Sequence, residues 1–154
     1  MEEDSSQRAP VRQLRLVVEA EDFDAAVAFY RDALGLSEQA AFQGEDDAKV
    51  MILNAGLATL EISNPAQVRL IDRVEADGRP SAKIRIAFEV NDSQAVTDDL
   101  IAAGGVLIAS PRETPWRSLN SRLSAPAGLE VTLFQELETL EERSARDGFT
   151  KPKR

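Results

Sequence analysis

The chain contains an internal repeat, and this feature limits its possible folds more than any other. The stretch "LRLVVEAEDFDAAVAFYRDALGL" covers residues 14–36 and "IRIAFEVNDSQAVTDDLIAAGGV" covers residues 84–106, an offset of 70. Superposition matches Arg15 with Arg85, Glu19 with Glu89, Asp22 with Asp92, and Gly35 with Gly105. A unit of about 50 residues is marginally stable alone, and its sheet would leave an open edge. The repeat therefore predicts one body built from two packed halves rather than two independent domains.

In each half, the pattern predicts a strand, a helix and three further strands. Leu14, Leu16 and Val18 occupy alternate positions, a period of two that is typical of a strand with one buried face. Asp22 then offers a helix N-cap, and Gly35 offers a helix stop. The second half repeats the same order of elements, with a final strand in "LEVTLFQ".

The predicted organisation has five parts. They are an N-terminal tail (1–11), a first βαβββ module (12–64), a connector with one short helix (65–82), a second βαβββ module (83–136), and a C-terminal helix with a basic tail (137–154). This order predicts an α+β fold with eight main strands and two principal helices. We expect a pseudo-twofold axis to relate the equivalent strands of the two modules.

Composition excludes several kinds of chemistry. The net charge of −9 disfavours nucleic acid and anionic membrane surfaces, because affinity for phosphates comes from Lys and Arg. The acidic start "MEEDSSQRAP" lacks the apolar core of a signal peptide, so the expected location is the cytoplasm. The chain has no His and no Cys, which excludes a Ser-His-Asp triad and any metal site ligated by imidazole or thiolate. We therefore expect no metal and no cofactor.

Polar side chains are predicted to share one sheet face, the face opposite the one that packs on the helix of each module. Alternation with apolar neighbours places four of them there: Arg15, Glu61, Arg85 and Thr132. Asn120 and Arg122 alternate with the apolar Leu119 and Leu123, so they are expected to point the same way. Trp116 precedes that strand, where it would either stack on a planar ligand or simply pack.

Several motifs, in order, resemble those of the vicinal oxygen chelate superfamily. They are "DFDAAVAFYRDALGL", "LEIS", "IAFEVND" and "PWRSLNSRLSAPAGLEVTLFQ", and the resemblance covers about residues 12 to 136. This superfamily holds glyoxalase I, the extradiol dioxygenases, methylmalonyl-CoA epimerase and the bleomycin-resistance proteins. The resemblance implies two βαβββ modules whose sheets form an open, barrel-like structure around a cavity.

The resemblance also implies where a metal would bind. Metal-dependent members take one ligand from the first strand and one from the last strand of each module. Those positions fall on Arg15, Glu61, Arg85 and Thr132, so only Glu61 keeps a ligand-type side chain. A guanidinium stays protonated and cannot donate to a metal. We therefore predict a metal-free site in which Arg15, Glu61 and Arg85 form one cluster.

Three functions are compatible with these features. The first is a metal-independent binding protein of the bleomycin-resistance (antibiotic-resistance) kind, which sequesters a planar or anionic organic molecule and works as a homodimer. Its ligand-binding residues would be Arg15, Glu61, Arg85, Trp116, Asn120, Arg122 and Thr132. The alternative is a related enzyme, a lyase, isomerase or dioxygenase relative, with Glu61 as general base. The third is a partner-regulated module with a vestigial cavity.

The Arg15, Glu61 and Arg85 group has two interpretations at this stage. Either it binds an anionic or polar group of a ligand, or it is a structural salt-bridge cluster that replaces the metal. Glu19 and Glu89 lie on the same faces and would complete the neutralisation in the second case. Carboxylates beside arginines are weak general bases, which favours binding over catalysis.

Overall fold

The computed structural model describes residues 13, 15–59 and 61–145 as an α+β fold with two separate sheets. The second module is complete. Its elements are β3 (Arg85–Glu89), α3 (Ser93–Ala102), β4 (Val106–Glu113), β5 (Ser118–Ala125) and β6 (Leu129–Glu136). The strand order is β3-β6-β5-β4, with β3 parallel to β6 and the other pairs antiparallel. The sheet is open rather than a closed barrel.

The first module contributes a helix and a hairpin. Helix α1 (Phe23–Val27) continues into a π-helical segment (Ala28–Ala33), and the strands β1 (Glu38–Gln43) and β2 (Lys49–Leu53) pair antiparallel. Asp22 caps α1 as predicted, because its carboxylate accepts a hydrogen bond from the amide of Ala25 at 3.0 Å. Asp92 caps α3 in the same way.

Two of the eight predicted strands are missing from the described residues. Residues 15–20 and 54–64, apart from the undescribed residue 60, belong to no strand or helix. Their apolar side chains are open to solvent, with Val17 exposed by 84%, Leu57 by 99% and Ile62 by 87%. An alternating pattern forms a strand only when something covers its apolar face, and nothing among the described residues covers these. The prediction of eight strands was therefore wrong, and the described residues form six.

The predicted connector contains the longest described helix, α2 (Pro65–Ala76). Asn64 caps it by accepting a hydrogen bond from the amide of Gln67 at 2.9 Å, and Pro65 stands in the first turn, where it needs no amide donor. The helix ends at Asp77, whose φ of 53° is left-handed. The prediction of two principal helices was therefore incomplete. A short helix, α4 (Leu140–Ser144), follows the second module.

The core lies on one face of the second sheet. It is built from buried residues of the first-module helix, α3, β5 and β6: Phe29, Tyr30, Leu100, Leu123, Val131 and Leu133. The opposite face of the sheet carries α2, whose residues contribute nothing to this cluster. No helix in the described ranges combines the length and the apolar character that a bilayer span requires.

Candidate functional site

The site lies on the sheet face that α2 covers. Four polar side chains from three strands point to this face: Arg85 on β3, Asn120 and Arg122 on β5, and Thr132 on β6. The alternation with apolar neighbours predicted this orientation correctly for all four. The register places Arg122 directly opposite Thr132, so strand pairing holds them side by side.

All four side chains donate to a single carboxylate, that of Glu75 on α2. Its Oε1 accepts from Arg85 Nη1 at 3.2 Å, from Arg122 Nε at 3.0 Å and from Thr132 Oγ1 at 2.6 Å. Its Oε2 accepts from Asn120 Nδ2 at 3.0 Å. Glu75 is only 1% exposed. We call these five residues, together with Asp72, the Glu75 network.

Asp72 contributes a second carboxylate from the same face of α2. Arg122 Nη1 donates to Asp72 Oδ1 at 3.0 Å and to the carbonyl of Arg79 at 3.3 Å. Burial on its own would raise the pKa of Asp72, but hydrogen bonds from Ser81 and Arg122 outweigh burial and hold that pKa below its ordinary value. Asp72 is therefore ionised beside Arg122 at neutral pH.

Arg122 is fully buried, and its hydrogen bonding is incomplete. Its Nη2 atom has no hydrogen-bond partner among the residues that the structure describes. Glu130 lies close, with Oε1 at 3.6 Å from Arg122 Nε, but that distance is an ion pair rather than a hydrogen bond. The same Oε1 is itself buried without a hydrogen-bond partner in the described part of the chain. The network thus leaves one guanidinium donor unsatisfied.

Arg15 and Glu61 do not join this group. Both are exposed, both lie in segments without regular structure, and no described ion pair includes either of them. The carboxylate that meets Arg85 is Glu75 rather than Glu61, so the predicted Arg15–Glu61–Arg85 cluster was wrong. The physical reason is that the strands expected to hold Arg15 and Glu61 do not form, whereas α2 delivers Glu75 to the sheet.

Trp116 lies in the loop between β4 and β5 and is half-buried. Its carbonyl accepts hydrogen bonds from Arg143 of α4, from Nε at 3.2 Å and from Nη2 at 3.0 Å. Arg143 also pairs with Glu136 and Glu138, so it ties the C-terminal helix to this loop. These hydrogen bonds concern the backbone of Trp116, and the role of its ring as a stacking surface stays a prediction.

Sequence reasoning missed Glu75 and Asp72, although a signal was available. Val68, Ile71, Asp72 and Glu75 have the spacing i, i+3, i+4, i+7, which marks one face of a helix. Asn64 and Pro65 are also a recognisable helix start. A helix whose buried stripe contains two carboxylates predicts a cationic surface beneath it.

Two depressions of the surface lie elsewhere. They have volumes of about 450 and 490 Å³ and adjoin the start of α1. Their charged lining is mainly acidic, and neither is lined by Arg85, Asn120, Arg122 or Thr132. The arginine-bearing face is not an open cavity, because α2 lies on it.

The residues at the expected ligand positions do not fit a metal ion. Arg85 and Thr132 bring a permanent cation and a neutral hydroxyl to the sheet face. Among residues 15–59 and 61–145, no group of three or more His, Cys, Asp or Glu could hold a metal. What the arrangement offers chemically is a set of hydrogen-bond donors that bind a carboxylate.

The chain belongs to the glyoxalase-like domain family, which matches residues 15–134. Among solved structures, it is similar to a protein of unknown function from Agrobacterium tumefaciens, with 22% identity, a TM-score of 0.52, and 86% of this chain and 99% of that chain covered. It is also similar to a hypothetical protein from S. aureus, with 14% identity, a TM-score of 0.55, and 82% and 95% covered.

A third structure, a glyoxalase/bleomycin resistance protein/dioxygenase from Nocardioides, has 19% identity and a TM-score of 0.46, with 87% and 89% covered. No curated protein matches the chain. The family and the α+β fold that the sequence motifs implied are confirmed.

Proposed function

We propose that this protein is a metal-independent binding protein that sequesters a small organic anion on the second sheet. The observation that carries the proposal is the convergence of Arg85, Asn120, Arg122 and Thr132 on one carboxylate oxygen pair. These donors form a fixed, largely dehydrated arrangement, and charge-assisted hydrogen bonds are strong in such surroundings. An organic anion of matching shape would use the same donors.

Binding is better supported than catalysis. Glu61, the general base of the enzyme alternative, is exposed, and no described contact places an arginine beside it. The buried carboxylate, Glu75, accepts four hydrogen bonds, so it has little capacity left to accept a proton from a substrate. Neither carboxylate is arranged as a general base.

The test is native mass spectrometry of the purified full chain, combined with elemental analysis. We expect a small organic adduct at one per chain and no stoichiometric zinc, iron, manganese or nickel. Two matched variants locate it, because Arg85 and Arg112 each pair with a carboxylate, at 3.2 and 2.7 Å, but only Arg85 belongs to the Glu75 network. Arg85→Gln should lose the adduct, and Arg112→Gln should keep it.

Two results would contradict the proposal. A stoichiometric transition metal would return the chain to the metal-dependent part of its family. A protein that carries no small molecule and binds no organic acid in titration calorimetry would leave the Glu75 network with a purely structural role.

A further inference from the structure

We propose that α2 is an internal, displaceable occupant of a carboxylate-binding site, so that a small monocarboxylate competes with Glu75 for the same side chains. This inference rests on the proposed function. It adds the chemical class of the ligand and a means by which the fold sets the affinity.

The first support is the way in which Glu75 is held. Its carboxylate receives hydrogen bonds on both oxygens from side chains of three different strands, at 2.6 to 3.2 Å. A structural salt bridge needs one cation, whereas this arrangement surrounds the carboxylate as a binding site surrounds a ligand. Glu75 therefore behaves as a carboxylate ligand tethered to the chain.

The second support is independent of Glu75 itself. Arg122 is 0% exposed, yet its Nη2 has no hydrogen-bond partner among the described residues. A buried donor without a partner carries a desolvation cost. A guanidinium can bind a carboxylate through two parallel hydrogen bonds, and a free carboxylate is not restricted by a helix backbone. A small ligand can thus satisfy a donor that α2 leaves unsatisfied.

The charge of the site indicates an anion with one negative charge. With α2 in place, two arginines (Arg85 and Arg122) face three carboxylates (Asp72, Glu75 and Glu130), a balance of 2 − 3 = −1. Without the two carboxylates of α2, the balance is 2 − 1 = +1. A monocarboxylate neutralises that charge, whereas a dianion would exceed it.

The attachment of α2 is suited to displacement. Only Ile71 and Ala76 are buried apolar residues of this helix, while the other two buried residues are the charged Asp72 and Glu75. Buried ion pairs contribute little net stability, because desolvation offsets their attraction. Residues 61–64 and 79–84 on either side form no helix or strand, so moving α2 breaks no strand pairing.

Competition of this kind lowers the apparent affinity for the ligand. The apparent dissociation constant is the intrinsic constant divided by the fraction of molecules in which the site is free. Weakening the contact of Glu75 should therefore tighten ligand binding, which is the opposite of what loss of a binding residue does.

The test uses sodium benzoate as the probe and neutral benzamide as its uncharged counterpart, at matched ionic strength. Calorimetry gives the affinities, and hydrogen exchange with mass spectrometry gives the opening of residues 65–76. Glu75→Gln removes the charge from the network. Glu113→Gln is the matched control, because it makes the same chemical change at an exposed pair, Glu113–Arg117, that does not involve α2.

We expect benzoate, but not benzamide, to bind and to accelerate amide exchange in α2. Glu75→Gln should bind benzoate about fivefold more tightly, the factor that corresponds to one hydrogen bond of ordinary net strength, and Glu113→Gln should match the wild type. The wild-type exchange measurement needs no variant, so it decides the question even if Glu75→Gln does not fold.

Two outcomes overturn the inference, and they differ in what they mean for the proposed function. Benzoate binding without faster amide exchange in α2 would agree with the proposed function but would show that α2 is not displaced by the ligand. Binding of benzamide as tightly as benzoate, or of neither, would remove the carboxylate class. Native mass spectrometry of the purified protein, which shows whether it carries an adduct, would then test the proposed function separately.

Discussion

The Nε atom of Arg122 lies 3.0 Å from Oε1 of Glu75, and the two side chains are 0% and 1% exposed. The two residues are 47 positions apart in sequence and come from different elements, β5 and α2. A pair this deeply buried contributes little compared with well-packed apolar residues, but removing one partner leaves a buried charge without compensation. This asymmetry makes the pair sensitive to single substitutions.

Arg122→Met should lower the free energy of unfolding by about 3–5 kcal/mol, because it takes the paired guanidinium from buried Asp72 and one of the two paired guanidinium groups from buried Glu75. The double variant Arg122→Met/Glu75→Leu should lose less than the sum of the losses in the two single variants, because the two side chains interact directly. Urea unfolding measures both. Arg112→Met, which breaks an exposed pair, serves as the control and should change stability by less than about 0.5 kcal/mol. Equal losses in the Arg122→Met and Arg112→Met variants would show that burial does not govern the effect.

Because of Asp72, the stability of the folded protein should vary with pH in the acid range. Because the pKa of Asp72 is lowered in the folded state, its contribution is complete above about pH 4, the ordinary aspartate range, and is lost as the pH falls through the lowered value. Asp72→Asn should therefore be less stable than the wild type at pH 6, and this difference should shrink toward pH 2. Urea unfolding across this range measures it. Stability curves that stay parallel would contradict the assignment.

Tyr30 should make stability depend on alkaline pH. Its hydroxyl donates to the carbonyl of Pro126 at 2.8 Å, and burial raises the pKa of Tyr30 to about 12. In the unfolded chain the hydroxyl of Tyr30 ionises near pH 10. Stability should therefore fall between about pH 10 and 12, because Tyr30 loses its proton in the unfolded state first. Tyr30→Phe should flatten this part of the curve in thermal unfolding. An unchanged slope would assign the alkaline loss to other groups.

Gly105→Ala should destabilise the folded protein by overpacking its core. A Cβ at this position would lie 2.9 Å from the backbone oxygen of Leu100 and 3.3 Å from the ring of Phe29. The oxygen belongs to a helix and cannot move cheaply, so we expect a loss of about 1–3 kcal/mol, as for other overpacked cores. Chemical unfolding measures it, with the exposed Ala103→Ser as control. A loss of stability no larger than that of the control would show that the end of α3 shifts to accommodate the added Cβ at little cost.

We propose that the chain forms a homodimer that covers its exposed apolar residues. Leu57 is exposed by 99%, Ile62 by 87% and Val17 by 84%, and removing apolar surface from water favours association. Light scattering at micromolar concentration should give twice the chain mass of 16.8 kDa. Leu57→Lys should shift the equilibrium toward the monomer, whereas Ile84→Lys, at the second module, should not. A wild-type species of 16.8 kDa alone would contradict the proposal.

Local signals predicted much of the second module correctly. Asp92 caps α3, and the alternation of apolar residues placed Arg85, Asn120, Arg122 and Thr132 on one face of the sheet. These features depend on neighbours in sequence or on the two-residue period of a strand. They can therefore be predicted without knowledge of the tertiary contacts.

The errors concern contacts between distant segments. The pattern around Arg15 predicts a strand, but a strand also needs a partner and a covered face, and neither is encoded locally. Glu75 was missed because a connector helix can dock on either face of a sheet or on none. The family resemblance suggested Glu61 as the carboxylate beside Arg85, whereas α2 supplied Glu75 from the connector.

The parallel pairing of β3 with β6 has a consequence for how the chain is made. Glu75 and Thr132 are separated by 57 residues, so at about 5–20 residues per second the ribosome takes roughly 3 to 11 seconds to synthesise the segment between them. During this interval the carboxylates of α2 remain in water, and β3 has no neighbour to pair with. The last strand to be translated, β6, joins β3 to β5 and adds Thr132 to the donors around Glu75, so a chain truncated before residue 129 lacks both the link between these strands and the Thr132 hydrogen bond.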